Sequence, residues 1–143
     1  MQCHRRFRWR LPGVLLQPFI AGAMSEPTPE PRNDTIFGRI LRGEIPCDPV
    51  YSDEHCLAFR DVAPQAPVHI LVIPREPLVN LAEAEERHAP LLGHLLLVAA
   101  RAARQEGLSD FRTVINSGAE AGQTVFHLHV HVIGGRPLDW PPG

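Results

Sequence analysis

The sequence predicts an α+β fold: a mostly antiparallel, five-stranded sheet with a short N-terminal helix and one long helix. Apolar residues recur with helical spacing in two stretches, and five other short apolar stretches between turn residues have the character of strands. The order along the chain is helix, three strands, helix, two strands. This order favours the α+β class, and a length of 143 residues with 44% hydrophobic content predicts one domain.

The first helix is predicted over residues 35–42. Asp34 is a suitable N-cap, and Gly43 provides the stop signal. The apolar positions of this helix are Ile36, Ile40 and Leu41. Pro46 excludes any continuation, because proline cannot supply a helical hydrogen bond.

Three strands are predicted after this helix. Residues 50–51 and 56–60, joined by the turn-rich residues 52–54, predict a hairpin. Residues 68–73 are nearly all apolar and β-branched, so they predict a central strand that is buried on both faces. His69 is the one polar member of this strand.

The long helix is predicted from a capping box formed by Asn80 and Glu83 and from apolar residues at helical spacing between Leu91 and Ala103. Gly107 is expected to close it. The last two strands are predicted at residues 111–116 and 125–133.

Residues 1–33 are expected to lie outside the domain, as a disordered or non-native extension and linker, and residues 34–143 form the predicted domain. The extension begins with arginines and continues with an apolar stretch over residues 11–23, which is typical of a secretory signal, an organelle-targeting peptide or an untranslated segment. Met24 is a second plausible start, and we favour translation from it or a disordered tail. The predicted location is the cytoplasm, with an organelle such as the mitochondrion as the alternative.

The charge distribution excludes several classes of function. Four of the fourteen arginines lie in the first 25 residues, so the remaining ten face sixteen carboxylates, and this acidic body argues against nucleic-acid binding. The chain has no lysine, which excludes Schiff-base catalysis and a phosphate-binding loop of the lysine type. The apolar N-terminal stretch is far too short to span a membrane, so no membrane partner is expected. Three unpaired cysteines fit a reducing compartment.

A histidine cluster carries the predicted chemistry. His127, His129 and His131 alternate with aliphatic residues, and strand geometry places alternate side chains on one face. Neighbouring rings are then separated by roughly 7 Å, a span comparable to a bound phosphate. Imidazole titrates near neutrality, so one ring can attack phosphorus while another donates a proton. The middle ring, His129, is best placed as the nucleophile.

Other interpretations of these residues stay open at this point. The alternating histidines could hold zinc with a third ligand elsewhere, although no carboxylate or cysteine follows at a useful spacing. His69 could be a satisfied core residue, and Asp61 a solvated loop acid. Residues 122–124 could bind a phosphate oxygen through an amide and the Thr124 hydroxyl, or form a polar turn.

Several sequence blocks resemble the HINT branch of the histidine triad superfamily. Residues 127–133 follow the pattern His, apolar, His, apolar, His, apolar, apolar. Further similarity lies in residues 35–40, 59–67, 134–136 and 140–143, and the resemblance covers about 110 residues. It implies a homodimer whose two sheets join into one, with purine nucleoside monophosphates or their phosphoramidates as ligands. The implied activity is hydrolysis of the phosphoramidate bond through a nucleotidyl-histidine intermediate.

The resemblance also implies roles for individual residues. His129 would attack phosphorus, and the implied catalytic group is completed by His127, His131, His69 and Thr124. Asp61 would hold the ribose hydroxyls. The implied phosphate-contacting amides are Asn116 and Gln123, and the apolar slot for the purine comprises Ile36, Phe37, Ile40 and Ile45. Trp140 would reach the site of the partner subunit.

The resemblance implies no cofactor and no metal for catalysis. Some bacterial relatives carry a structural zinc bound by cysteines around the Ile-Phe block, where this chain has Thr35 and Gly38. We therefore predict no zinc there. Two alternative functions remain: a nucleotide-binding interaction or regulatory protein with incidental hydrolysis, and a dinucleoside polyphosphate hydrolase.

Overall fold

The computed structural model describes residues 34–143, and the predictions for residues 1–33 lie outside this range. Within it, the elements follow the predicted order: α1 Ile36–Leu41, β1 Pro49–Ser52, β2 Cys56–Arg60, β3 Val68–Pro74, α2 Ala89–Gln105, β4 Phe111–Val114 and β5 Val130–Gly134. Short 3-10 turns occupy Leu81–Glu83, Glu86–His88 and Ala119–Ala121. The predicted α+β class is confirmed. No helix within residues 34–143 is both long and apolar enough to cross a membrane.

The five strands form one sheet in the order β1-β2-β3-β5-β4, and each neighbouring pair is antiparallel. The predicted hairpin is the β1–β2 pair, and β3 is central as predicted. In the β3–β5 register, Leu71 lies opposite His131 and His69 lies opposite Ile133. Opposed residues of an antiparallel pair project to the same face, so His69 and His131 share one face of the sheet.

The two faces of the sheet are covered by different helices. Helix α2 packs on one face, where Ile70, Val72, Val130 and Val132 meet the buried side chains of the helix, Leu95, Val98, Ala99, Ala102 and Ala103. On the other face, Leu71 and Ile73 pack with Phe37 of α1. The histidine side of the sheet is therefore the side that α1 covers.

Helix α1 begins one residue later than predicted. Its N-cap is Thr35, whose hydroxyl accepts a hydrogen bond from the Gly38 backbone N–H at 3.0 Å, so the assignment of Asp34 was wrong. The chain after the helix turns at Gly43, whose φ of 75° is the left-handed conformation that favours glycine. The stop signal was interpreted correctly.

The capping signal at Asn80 belongs to a different element from the one predicted. The Asn80 side chain accepts a hydrogen bond from the Glu83 backbone N–H, and this contact caps the 3-10 turn Leu81–Glu83. Helix α2 begins only at Ala89 and has Pro90 in its first turn. The apolar spacing located the long helix correctly, whereas the cap did not locate its first residue.

Both final strands are shorter than predicted, with β4 ending at Val114 and β5 starting at Val130. The β3–β5 pairing stops at the Val72–Val130 pair. Two residues further along β3 is Pro74, which has no N–H to donate. The backbone N–H of Leu128 turns instead to the Leu78 carbonyl, at 2.7 Å. Two of the three alternating histidines therefore precede the strand.

Candidate active site

The segment that leads into β5 brings the three alternating histidines together. His127 is 1% exposed and His129 6% exposed, while His131 is partly accessible. The ring centroids of His129 and His131 lie 4.9 Å apart, closer than strand spacing predicts, because the chain before Val130 leaves the strand and the rings meet edge to face at 66°. Leu128, which lies between His127 and His129, is buried in the core on the α2 side of the sheet.

His129 is held in one tautomer by a backbone carbonyl. Its Nδ1 lies 2.7 Å from the His127 carbonyl oxygen, which can only accept, so the proton of the neutral ring is on Nδ1. Nε2 then carries the lone pair. A bare imidazole nitrogen with a fixed ring is the form in which histidine acts as a nucleophile.

His69 and His131 form a second pair with a defined proton arrangement. His69 Nδ1 accepts a hydrogen bond from the Gln65 backbone N–H at 3.0 Å, so the proton of the neutral ring is on Nε2. That nitrogen lies 2.9 Å from His131 Nδ1, which therefore accepts. The His131 proton is then on Nε2, and His131 is a proton donor beside the bare nitrogen of His129.

Burial lowers the pKa of all three alternating histidines. For His131 the loss of solvation is the largest cause and lowers the pKa to about 4, with the His129 and His69 rings adding to it and Asp61 opposing it. Burial is also the main cause of the lowered pKa values of His127 and His129, opposed by the hydrogen bonds that these rings donate to backbone carbonyls. The rings are consequently neutral at pH 7.

His127 supports the cluster from the interior. Its Nε2 donates to the Pro74 carbonyl at 2.8 Å, which leaves Nδ1 as an acceptor. Among residues 34–143, this Nδ1 is the one buried side-chain nitrogen or oxygen without a hydrogen-bond partner. Phe37 packs edge to face on His127 and His129, with ring centroids 6.5 and 5.0 Å away. Phe37 is 7% exposed, so it is a buried residue against which both histidine rings pack.

The loop after β2 brings Asp61 to the histidine pair. Asp61 Oδ2 lies 3.4 Å from His69 Nε2, and Oδ1 accepts from the Ala63 backbone N–H at 2.9 Å. The next residue, Val62, is 99% exposed. Val62 is not among the predicted site residues, although an apolar residue directly after a candidate ribose ligand was a usable signal. The hydrogen bond from the Gln65 backbone N–H to His69 could not be predicted, because no side-chain pattern marks a backbone donor.

One member of the predicted apolar slot, Ile36, lines a shallow pocket of about 220 Å³. Ile36 and Thr124 line it together with Thr35, Val125 and Phe126. Ile36 is 49% exposed and therefore open to a ligand. Ile40 and Ile45 are partly buried, and Ile40 packs against the core on the histidine side of the sheet. The structure thus joins the N-terminal helix to the Thr124 loop.

Gln123 has a different role from the one predicted. It is 2% exposed, its Nε2 donates to the Val79 and Val125 carbonyls, and its Oε1 accepts from Gly118 N–H and Asn80 Nδ2. Both donor hydrogens are thus used inside the loop, and this side chain cannot also contact a phosphate. We therefore treat Gln123 as a residue that shapes the loop beside Thr124.

The last two predicted site residues are Asn116 and Trp140. Asn116 is partly buried, and its side chain lies against Gly122, just before Gln123 and Thr124. Trp140 is 82% exposed, and within residues 34–143 no ring contact joins it to a histidine. A role for Trp140 in a partner's site remains a prediction.

Comparison with known proteins identifies the class of protein. The HIT domain family matches residues 42–138, more than half of the chain. An uncharacterized HIT-like protein of Synechococcus elongatus is 66% identical over 111 residues, which cover 77% of this chain and 97% of that protein. A 14 kDa zinc-binding protein of Brassica juncea is 57% identical over 113 residues, covering 77% of this chain and 100% of that protein.

Solved structures agree with this result. A HIT family hydrolase from Legionella pneumophila has a TM-score of 0.75 and 41% identity, and the match covers 77% of this chain and 100% of that one. A histidine triad protein from Clostridium difficile has a TM-score of 0.72 and 38% identity, covering 77% of this chain and 97% of that one. The chain belongs to the HIT family and has the fold of HIT family hydrolases.

Proposed function

We propose that the protein hydrolyses purine nucleoside phosphoramidates to AMP or GMP through a nucleotidyl-His129 intermediate. The observation that carries the proposal is the pairing of tautomers: a bare Nε2 on His129 beside a protonated Nε2 on His131. A nucleophile and a proton donor are the two groups that displacement of an amine from phosphorus requires. The preference for purines comes from the resemblance to the HINT branch.

In the first step, the lone pair on His129 Nε2 attacks the α-phosphorus and forms a nitrogen–phosphorus bond. The bond from phosphorus to the leaving amine breaks, and the amine nitrogen takes the proton from His131 Nε2, while a proton from solvent replaces it so that the His131 ring stays neutral. The modified His129 ring becomes positively charged, and the His127 carbonyl, 2.7 Å from Nδ1, stabilises that charge. Thr124 is available for a phosphate oxygen.

In the second step, water attacks phosphorus and displaces His129. The water gives up one proton to solvent, and the nucleoside monophosphate leaves with His129 and His131 in their starting tautomers. His69 holds His131 Nδ1 as an acceptor throughout. Asp61 and Val62 provide a carboxylate and an exposed apolar surface for the ribose and the base.

We further propose that two copies of the chain associate through β4 and α2. Strand β4 is at the edge of the sheet, where its free side can pair with another strand. Exposed apolar side chains accompany it: Phe111 on β4, and Leu96 and Leu97 on α2, at 39, 47 and 71% exposure. Pairing at β4 would extend the sheet across the dimer.

The Brassica relative is named a zinc-binding protein, so the residues of this chain that could hold zinc are of interest. Thr35 and Gly38, at the expected cysteine positions, provide no suitable donor set. Within residues 34–143, two other groups of three potential ligands have their donor atoms within 4.8 Å of one another: Asp53, Cys56 and His94, and Asp61, His69 and His131. Either group would hold zinc only if its donor atoms were free to bind the metal.

Neither group fits zinc. Asp53 already accepts from Tyr51, His94 and two backbone N–H groups, and burial raises the pKa of the Cys56 thiol to about 12, which disfavours the thiolate that zinc binds. In the second group both nitrogens of His69 are engaged. We therefore assign no step to a metal.

The proposed function is tested by turnover of adenosine 5′-phosphoramidate. The wild-type protein is expected to release AMP, whereas His129→Ala should bind AMP and lose nearly all turnover, since no other bare nitrogen is positioned for attack. His55→Ala is the matched control, because its side chain is 59% exposed and lies outside the cluster. Wild-type turnover in His129→Ala would refute the histidine nucleophile. AMP binding without turnover in the wild-type protein would favour a regulatory protein.

A further inference from the structure

The segment 134–136, Gly-Gly-Arg, lies directly after β5 and takes no part in the proposed mechanism. Its backbone runs close to the loop that follows β2. A Cβ added at Gly135 would stand 3.0 Å from Pro67 Cβ, and its φ of 91° lies in the left-handed region. A larger residue at this position would push the two segments apart. The segment is therefore built for close approach to residues 61–67.

Arg136 fixes this approach with its guanidinium group. Nη2 and Nε donate to the Gln65 carbonyl at 2.9 and 3.3 Å, and Nη1 donates to the Pro137 carbonyl at 3.0 Å. The planar guanidinium thereby orients the carbonyl of one residue in the neighbouring loop. Gln65 also ties the loop to itself, because its side chain donates to the Ala63 carbonyl at 2.9 Å.

The backbone of Gln65 is also the group that determines the tautomer of His69. Arg136 holds its carbonyl, and its N–H donates to His69 Nδ1 at 3.0 Å. His69 Nε2 then faces His131 Nδ1 at 2.9 Å. A continuous series of hydrogen bonds thus runs from Arg136 to His131.

We propose that Arg136 is a positioning residue, which keeps the Gln65 N–H on His69 and so keeps the proton of His131 on Nε2. The proposal rests on the proposed function, in which that proton goes to the leaving amine. If the Gln65 N–H turns away, His69 Nδ1 can carry the proton and His69 Nε2 can accept from His131. His131 Nε2 would then be bare, and no ring would donate to the leaving group.

The test compares Arg136→Met with Arg75→Met. Arg75 is a matched control, because its Nε also donates to a backbone carbonyl, that of Asp53, at 2.8 Å, in a turn at the hairpin. The first readout is the ¹⁵N chemical shift of each imidazole nitrogen in the free protein at neutral pH, which reports the tautomer without any substrate. The second is kcat and KM for adenosine 5′-phosphoramidate across pH.

We expect Arg75→Met to keep the wild-type tautomers and kcat. In Arg136→Met, His131 should lose protonation at Nε2 in a large fraction of molecules, and kcat should fall roughly fivefold with KM nearly unchanged, the factor expected for one ordinary hydrogen bond. Arg136→Lys should give an intermediate result, because an ammonium group can still donate to the Gln65 carbonyl, and it serves if Arg136→Met does not fold.

The positioning role is overturned if Arg136→Met and Arg136→Lys both keep His131 protonated at Nε2 and keep the wild-type kcat. A loss of folded protein without change in tautomer or in kcat per folded molecule would equally overturn it and leave a structural role only. Failure of the proposed function gives a different result: the wild-type protein would not hydrolyse the amidate, while the ¹⁵N comparison would still decide whether Arg136 sets the tautomer.

Discussion

Each of the four histidines in the site has one ring nitrogen next to a group whose hydrogen-bonding role is fixed. Two backbone carbonyls fix the protons of His127 and His129, and one backbone N–H fixes that of His69. The proton of His131 follows from its contact with His69. Identical side chains therefore acquire different chemical roles from their backbone partners.

The lowered pKa of His131 makes a prediction about stability. A folded-state pKa of about 4, against 6.5 as the ordinary value, means that the unfolded chain takes up a proton first as the pH falls. The contribution is fully present above pH 6.5 and is lost as the pH falls to about 4, with a magnitude of about 3 kcal/mol. Urea unfolding at a series of pH values should show this loss in the wild-type protein and a smaller one in His131→Asn. Identical pH dependence in the two proteins would contradict it.

At the residue scale, the sequence could identify the histidine cluster but not the positions of its protons. The alternation of histidine with aliphatic residues was sufficient to select His127, His129 and His131 as a group. The tautomers of His127 and His129 depend on the carbonyls of Pro74 and His127, which every residue type supplies and no side-chain pattern marks.

At the scale of elements, proline and the caps explain where the predicted boundaries failed. The last strand was predicted from residue 125, but its pairing with β3 ends at Val72, two residues before Pro74, which lacks an N–H. Two adjacent residues, Asp34 and Thr35, could both cap α1, and the sequence does not decide between them. The apolar spacing, by contrast, located both helices, since it reflects the face that each must bury.

The loop of residues 117–123 depends on one buried amide. Gln123→Ala would leave the Val79 and Val125 carbonyls and the Gly118 N–H without their partner, so we expect a loss of about 2–4 kcal/mol in the free energy of unfolding. Glu120→Ala, on an exposed position of the same loop, is the control. Chemical denaturation of both variants checks this. Unchanged stability of Gln123→Ala, with weaker AMP binding, would restore the role predicted from the sequence.

At the scale of the molecule, the two faces of the sheet differ: one packs against the long helix, and the other carries the histidine cluster. Helix α2 and its apolar partners cover one face, and the other carries His69, His131 and the short helix α1. The class of fold followed from element order, whereas the dimer is implied only by the family resemblance of the sequence and stays a prediction.

The proposed dimer predicts a change of mass in solution. Sedimentation at micromolar concentration should give a dimer for the wild-type chain and a monomer for Leu97→Glu, because a carboxylate on α2 would be buried at the proposed contact. Leu81→Glu, an exposed leucine outside α2 and β4, should remain dimeric. A wild-type monomer, or a dimeric Leu97→Glu, would rule out this interface.

The most direct test of the central claim is the stereochemical course at phosphorus. An adenosine phosphoramidothioate of known configuration would be hydrolysed in ¹⁸O-labelled water, and the configuration of the product would be determined. Two displacements, first by His129 and then by water, each invert the phosphorus, so our account predicts net retention. Net inversion would mean that water attacks the substrate directly, and His129 would not be the nucleophile.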